Sequence, residues 1–222
     1  MENIQEVIAH FFLMALPILA AIVFHEVSHG WVANRLGDPT AARMGRLTLN
    51  PIPHIDPFGT ILLPLVLYIA NAPFLFGYAR PVPVNFYNLN RPKRDMIWVA
   101  LAGPLTNVLL AAASALFLKL LLGAAAHQDG GFVASFLLRP LALMAQFSVI
   151  INVGLAVFNI VPIPPLDGGR VLVGLLPEPH ASTLARVEPF GFLIIIVLLM
   201  TDVLDRFTGP AMRFLLEMLS RL

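Results

Sequence analysis

"FHEVSHGW" occupies residues 24–31, at the far end of an apolar run that begins near Val7. The run is long enough for a spanning helix, which needs roughly 20 apolar residues. Its last third nevertheless carries His25, Glu26 and His29. Ionisable side chains inside a bilayer cost several kcal/mol each and mark functional sites by default. A membrane-going helix keeps three of them only where something offsets that cost.

The rest of the composition agrees that a membrane is involved. The chain has 222 residues, 58% hydrophobic and only 12% charged, with a mean hydropathy of +0.82. A soluble domain is about a quarter charged. The length suits one compact bundle, residues 1–222, with little left for a separate soluble domain. A net charge of +1 argues against a nucleic-acid partner, which needs a concentrated basic face. With no cysteine there is no disulfide framework and no thiolate metal site. The acidic start "MENIQE" lacks the basic opening of a signal peptide, so the first hydrophobic segment is expected to be retained.

Three segments read as spanning helices: Val7–Leu36, Met96–Leu122 and Leu141–Ile160. Pro189–Val203 is shorter and ends at acidic residues, while 211–222 mixes apolar residues with Arg213, Glu217 and Arg221 as an interfacial helix does. The stretch 59–73 is too short for a comfortable crossing and holds Pro64 in its middle; "VLVGLL" (171–176) is shorter still. Seven of the fourteen Lys and Arg residues lie between 35 and 94 (Arg35, Arg43, Arg46, Arg80, Arg91, Lys93, Arg94). The positive-inside rule makes that region cytoplasmic. Segment 59–73 is then expected to enter and return, or to lie shallow. The expected fold is a polytopic α-helical membrane protein with about four to six transmembrane or re-entrant helices.

On a helix, positions i and i+4 share a face, so His25 and His29 can point at one spot. Two imidazoles so placed can bind zinc, with Glu26 beside them to activate a water on the metal. The alternative is a pair of solvated histidines at a helix end. Zinc binding favours the first, since it supplies the compensation that buried ionisable residues require. A catalytic zinc usually has three protein ligands. Asp167 in "FNIVPIPPLDGGR" (158–170) is the candidate third. Prolines stop the preceding helix there, and Gly168 and Gly169 allow a close backbone approach. The alternative role for Asp167 is to cap a short helix over 170–176.

These stretches together resemble the site-2 protease family of intramembrane zinc metalloproteases, over most of the chain from Ile22 to Arg170. The family's first motif is matched by His25-Glu26-Val27-Ser28-His29, and its second by Asn159 through Gly168. "AGPLTN" (102–107) is similar to its glycine-proline-asparagine element. "GRLTLNPIPHIDPFGT" (45–60) and "GYARPVPVN" (77–85) look like the membrane-associated β-hairpin of small bacterial members. The PDZ and CBS domains of larger members have no counterpart in this sequence.

The resemblance implies one zinc ion per chain, held by His25, His29 and Asp167, with Glu26 as general base and then proton donor. It implies a zinc endoprotease whose partners are the lipid bilayer and a membrane protein with a transmembrane segment. Asn159 is similar to the family asparagine that positions substrate or stabilises the oxyanion; a helix–helix hydrogen bond is its alternative. Asn107 is expected to form a close-packing face with Gly103, with substrate contact as the alternative. His54 is expected on a loop surface or as a partner of the site, and His10, His127 and His180 away from it. Pro81 and Pro83 lack N–H groups, which leaves Val82 and Val84 as the intact edge of a one-sided strand for an unwound substrate; the alternative is that this edge pairs with 45–49 in an internal hairpin. The expected location is the cell membrane, multi-pass, with the active site toward the cytoplasmic side. Two other classes fit parts of the pattern: an inactive zinc-binding membrane scaffold or chaperone, which would not need Glu26, and a transporter, which usually shows paired repeats.

Overall fold

The computed structural model describes residues 4–70, 77–126 and 131–222. Positions 71–73 of the ambiguous apolar segment, His127 and the side chain of His10 lie outside the described parts. The described elements are α1 (Ile4–Arg35), α2 (Thr40–Arg43), α3 (Leu63–Ile69), α4 (Pro92–Ala126), α5 (Arg139–Asn159), α6 (Asp167–Leu175), α7 (His180–Ala185), α8 (Glu188–Met200) and α9 (Val203–Ser220). Wide π-type turns at Pro57–Leu62 and Ala134–Leu138 lead into α3 and α5.

Among the described residues, three helices are long and apolar enough to cross a membrane: Leu13–Arg35 in α1, Pro92–Ala125 in α4, and Phe136–Asn159, which takes in α5 and the turn before it. α8 has 13 residues, or about 20 Å of rise, and falls short of a hydrocarbon core of about 30 Å. α3 and α6 are shorter again. Among the described residues, three helices therefore reach spanning length, and α6 and α9 pack against α4.

α4 is the central helix and packs against α1, α5, α6 and α9. Its contacts are made by small residues, since lipid supplies no hydrophobic drive and close approach must supply dispersion instead. Ala21 and Ala33 of α1 and Ala111 of α4 are each fully buried. Val149, Val153 and Val157 of α5 pack with Ala111 and with Leu219 of α9. α9 begins eight residues before the expected position 211, because the break falls at Asp202, whose φ is +54°, while Pro210 sits inside the helix.

α1 ends in a left-handed turn. Gly37 has φ +112°, its N–H reaches Asn34 O, and the Asp38 N–H reaches Ala33 O. This pairing satisfies the last carbonyls of a helix and needs the conformational freedom of glycine.

The expected β-hairpin is not present among the described residues. Residues 77–85 are extended, but they form no ladder with 45–49. The alternate N–H groups of Tyr78, Arg80 and Val82 go instead to Gly59 O, His54 O and the Glu26 carboxylate. Arg46 reaches across with its guanidinium, donating to Arg80 O at 2.9 Å and Pro81 O at 3.3 Å. The physical reason is the missing N–H of Pro81 and Pro83: a regular ladder is possible along one edge only, and loop carbonyls and a side chain occupy that edge.

Candidate active site

α1 brings His25 and His29 to one face, and the α5–α6 turn brings Asp167 to meet them. Gly168 and Gly169 make this turn possible. A Cβ on Gly168 would come within 2.1 Å of Ile160 O, and one on Gly169 within 2.3 Å of the Pro164 nitrogen. Asp167 is the first residue of α6, and its side chain makes no capping hydrogen bond there. It faces the two histidines, with Oδ2 at 3.2 Å from His25 Nε2 and 3.3 Å from His29 Nε2. The two Nε2 atoms are 3.1 Å apart. All three residues are buried.

The second nitrogen of each ring shows what this triangle can hold. His29 Nδ1 lies 2.7 Å from Val99 O, which can only accept, so Nδ1 carries the hydrogen. His25 Nδ1 lies 2.6 Å from Asn107 Oδ1, also an acceptor. In neutral rings both Nε2 atoms then present lone pairs to a carboxylate oxygen, and that oxygen is buried without a donor of its own. Three converging lone pairs repel one another unless a cation sits among them. A tetrahedral zinc with ligands at about 2.0–2.1 Å has ligand–ligand edges of about 3.3–3.4 Å, close to the triangle observed. The donor set of two imidazoles and a carboxylate suits zinc, and the set fits.

Gly103 of α4 closes the far side. A Cβ there would lie 2.5 Å from His25 Cε1 and from His29 Nε2. The glycine expected to serve helix packing therefore borders the histidine pair itself.

A sequence model of peptidase family M50 matches residues 12–142 and 134–201. The chain belongs to this family, the site-2 proteases. Membership marks it as a zinc metalloprotease. "Putative zinc metalloprotease YwhC" of Bacillus subtilis is 35% identical over 188 residues, covering 85% of this chain and 80% of that protein. "Putative zinc metalloprotease Rip2" of Mycolicibacterium smegmatis is 30% identical over 197 residues, covering 88% and 70%. "Putative zinc metalloprotease MJ0611" of Methanocaldococcus jannaschii is 27% identical over 167 residues, covering 73% and 70%. No solved structure matches the chain significantly.

The other candidate residues of the metalloprotease fall into distinct places. Glu26 is half-buried beside the triangle, and its Oε2 accepts the Val82 N–H at 2.8 Å. A cavity of about 580 Å³ opens next to it, lined among others by Glu26, Tyr78, Val82, Asn159, Asp167 and Phe192. Asn159 borders that cavity and donates to Leu155 O of its own helix at 3.0 Å, so it makes no bond between helices there. Val84 borders the cavity too and packs beside Ala33, Leu89 and Val99. Asn107 is fully buried behind His25, on the side of the ring away from the triangle.

His54 corrects the expectation of a surface loop residue. It is buried, its Nε2 meets Thr48 O at 2.9 Å, and its carbonyl accepts the Arg80 N–H. It thus supports the extended segment. His180 stands exposed at the start of α7.

Asp38 was not singled out from the sequence. It is fully buried and accepts from the Asn85 N–H at 2.7 Å, Asn88 Nδ2 at 2.9 Å, the Thr40 N–H at 3.1 Å and the Thr40 hydroxyl. Burial works against its charge, but the hydrogen bonds from Thr40, Asn88 and the Asn85 N–H outweigh it and hold the carboxyl below its ordinary value. Asp38 so ties the end of α1 to the extended segment that meets Glu26. The local signal was "DPT" (38–40), a turn in which an aspartate bonds the backbone two residues on.

Proposed function

We propose that this metalloprotease is an intramembrane endoprotease, cutting peptide bonds within or near transmembrane segments of membrane-protein substrates. The observation that carries the reading is the triangle of three buried donor atoms, two of them on a helix long enough to span and the third brought to it by the turn into α6. His25 is ten residues before Arg35, or about 15 Å along the helix from that end of the span, close to half the thickness of a hydrocarbon core. Chemistry at that depth must act on a chain that is itself in the membrane.

His25, His29 and Asp167 would hold one zinc ion. When bound, zinc lowers the pKa of a water and polarises the scissile carbonyl. Glu26 takes the proton from the attacking water and returns it to the leaving amine. The Val82 N–H holds one oxygen of Glu26 and so leaves the other for the proton. Asn159, on the cavity wall, is proposed to position the substrate or to stabilise the oxyanion.

The substrate must be extended there, since a helix buries the carbonyl under attack. Among the described residues, the Val82 carbonyl and the Val84 N–H have no hydrogen-bond partner. A substrate residue pairing with both would add as a strand. The charge of 35–94 supports a cytoplasmic side for the loops around this site.

Purified protein should cleave a helical membrane peptide in proteoliposomes and stop when a chelator is added. Glu26→Gln should keep its zinc yet lose about 100- to 10,000-fold in rate, and a His29→Ala/Asp167→Ala double variant should lose the zinc. Near-stoichiometric zinc in that double variant, or activity of Glu26→Gln within a few-fold of wild type, would refute the reading.

A further inference from the structure

Behind His25 lies a chain of hydrogen bonds that ends on another helix. Asn152 of α5 donates through Nδ2 to Ser148 O at 2.9 Å. A backbone carbonyl can only accept, so this contact fixes the amide of Asn152 with Oδ1 pointing the other way. That oxygen accepts from Asn107 Nδ2 at 2.8 Å, and the same Nδ2 donates to Ala21 O, again a pure acceptor, at 3.2 Å. Both hydrogens of the Asn107 amide are thereby engaged. Its Oδ1 is left for His25 Nδ1, at 2.6 Å. Asn107 and Asn152 are 0% and 1% exposed, so water does not compete for any of these groups.

We infer that Asn152 is a positioning residue for the metal centre, acting through Asn107 to hold His25 in the Nδ1–H tautomer. The inference rests on the proposed reading of His25 as a zinc ligand. A flipped Asn107 amide would offer N–H to Nδ1, force the ring hydrogen onto Nε2, and block the lone pair that faces Asp167. In the native chain a flip sets Oδ1 of Asn107 against both Asn152 Oδ1 and Ala21 O. Without the Asn152 oxygen only Ala21 O, the longer contact, resists it. His29 needs no relay, because Val99 O accepts from its Nδ1 directly. The two rings of the pair are oriented by different devices, and only one of them depends on α5.

The test is zinc affinity by chelator competition on the full chain in detergent. Asn152→Leu keeps the branched skeleton of the side chain and removes the polar atoms. It should weaken zinc binding about 10- to 100-fold, as loss of outer partners of a ligand does. Asn107→Ala should do the same, and the Asn107→Ala/Asn152→Leu double variant should lose no more than Asn107→Ala alone, since Asn152 acts only through Asn107. Affinity of a folded Asn152→Leu within two-fold of wild type, or additive losses in the double variant, would overturn the inference. A second measurement needs no variant. Histidine-selective ¹⁵N spectra of wild-type protein stripped of zinc should show His25 protonated at Nδ1 and not at Nε2, and an Nε2–H form would overturn the relay. If the wild type took up no zinc at all, the zinc reading would fall, while the same spectra of zinc-free Asn152→Leu would still decide the role of Asn152: an Nδ1–H form unchanged from wild type would overturn the relay.

Discussion

Gly103→Ala adds one methyl group to α4 at the point where the helix touches both histidines. The added Cβ would stand 2.5 Å from His25 Cε1 and His29 Nε2, and 2.6 Å from His25 Nε2. Ordinary carbon contacts lie at about 3.5–4.0 Å, so the rings must retreat by about 1 Å. They have little freedom to do so. Each Nδ1 is held by a hydrogen bond of 2.6 or 2.7 Å, and the triangle with Asp167 tolerates only small changes in a zinc site. Overpacking of this kind costs about 1–3 kcal/mol. If that strain falls on the bound state, zinc affinity drops roughly 10- to 100-fold, at about 1.4 kcal/mol per factor of ten. The sign of a second effect separates site from scaffold. Alanine is the better helix former by about 1 kcal/mol, so a purely helical effect would raise thermal stability and leave zinc alone. Chelator competition and thermal unfolding of the zinc-free protein measure the two quantities separately. Zinc affinity within two-fold of wild type would refute the claim that Gly103 borders the metal centre.

Three further outcomes can be measured. Asp38→Asn removes one of the acceptors shared by Asn85, Asn88 and Thr40 and should cost about 1–3 kcal/mol at neutral pH. The carboxyl is held below its ordinary value, so its contribution is full above the unfolded value of about 3.9 and is lost as pH falls through the folded one; unfolding midpoints of variant and wild type should converge on acidification, and equal stability at pH 7 would contradict this. Val84→Pro removes the N–H proposed to hold substrate and should abolish cleavage while zinc content stays near wild type; full cleavage would dispose of the substrate strand. Tyr87 is 93% exposed, beside Asn88, which Asp38 uses; a Tyr87→Cys label should react only from the cytoplasmic face, and reaction from the external face alone would overturn the proposed orientation.

The sequence by itself determined the parts of this protein that are local. Spanning lengths follow from runs of apolar residues, and the ends of α1, α4 and α5 lie within a few residues of where those runs stop. The i, i+4 spacing of His25 and His29 specifies a shared face on any helix, and the prolines before Asp167 announce a turn that the glycines then tighten. The grouping of His25, His29 and Asp167 was legible for that reason: its two halves are short motifs, each bound to its own backbone geometry.

Tertiary structure decided whatever depends on which helices meet. The one-sided strand was readable from Pro81 and Pro83, but its partners were not. Gly59, His54 and Glu26 compete for the same N–H groups as 45–49, and only packing selects among acceptors that are chemically equivalent. Gly103 could be read as a small residue, yet not as a neighbour of the histidines. Asn152 lies in what reads as an uncharged spanning run, 45 residues from Asn107. A buried amide takes its meaning from the groups that close around it, because once water is excluded each donor and acceptor must be satisfied by whatever the neighbouring helix presents. No stretch of sequence contains that neighbour.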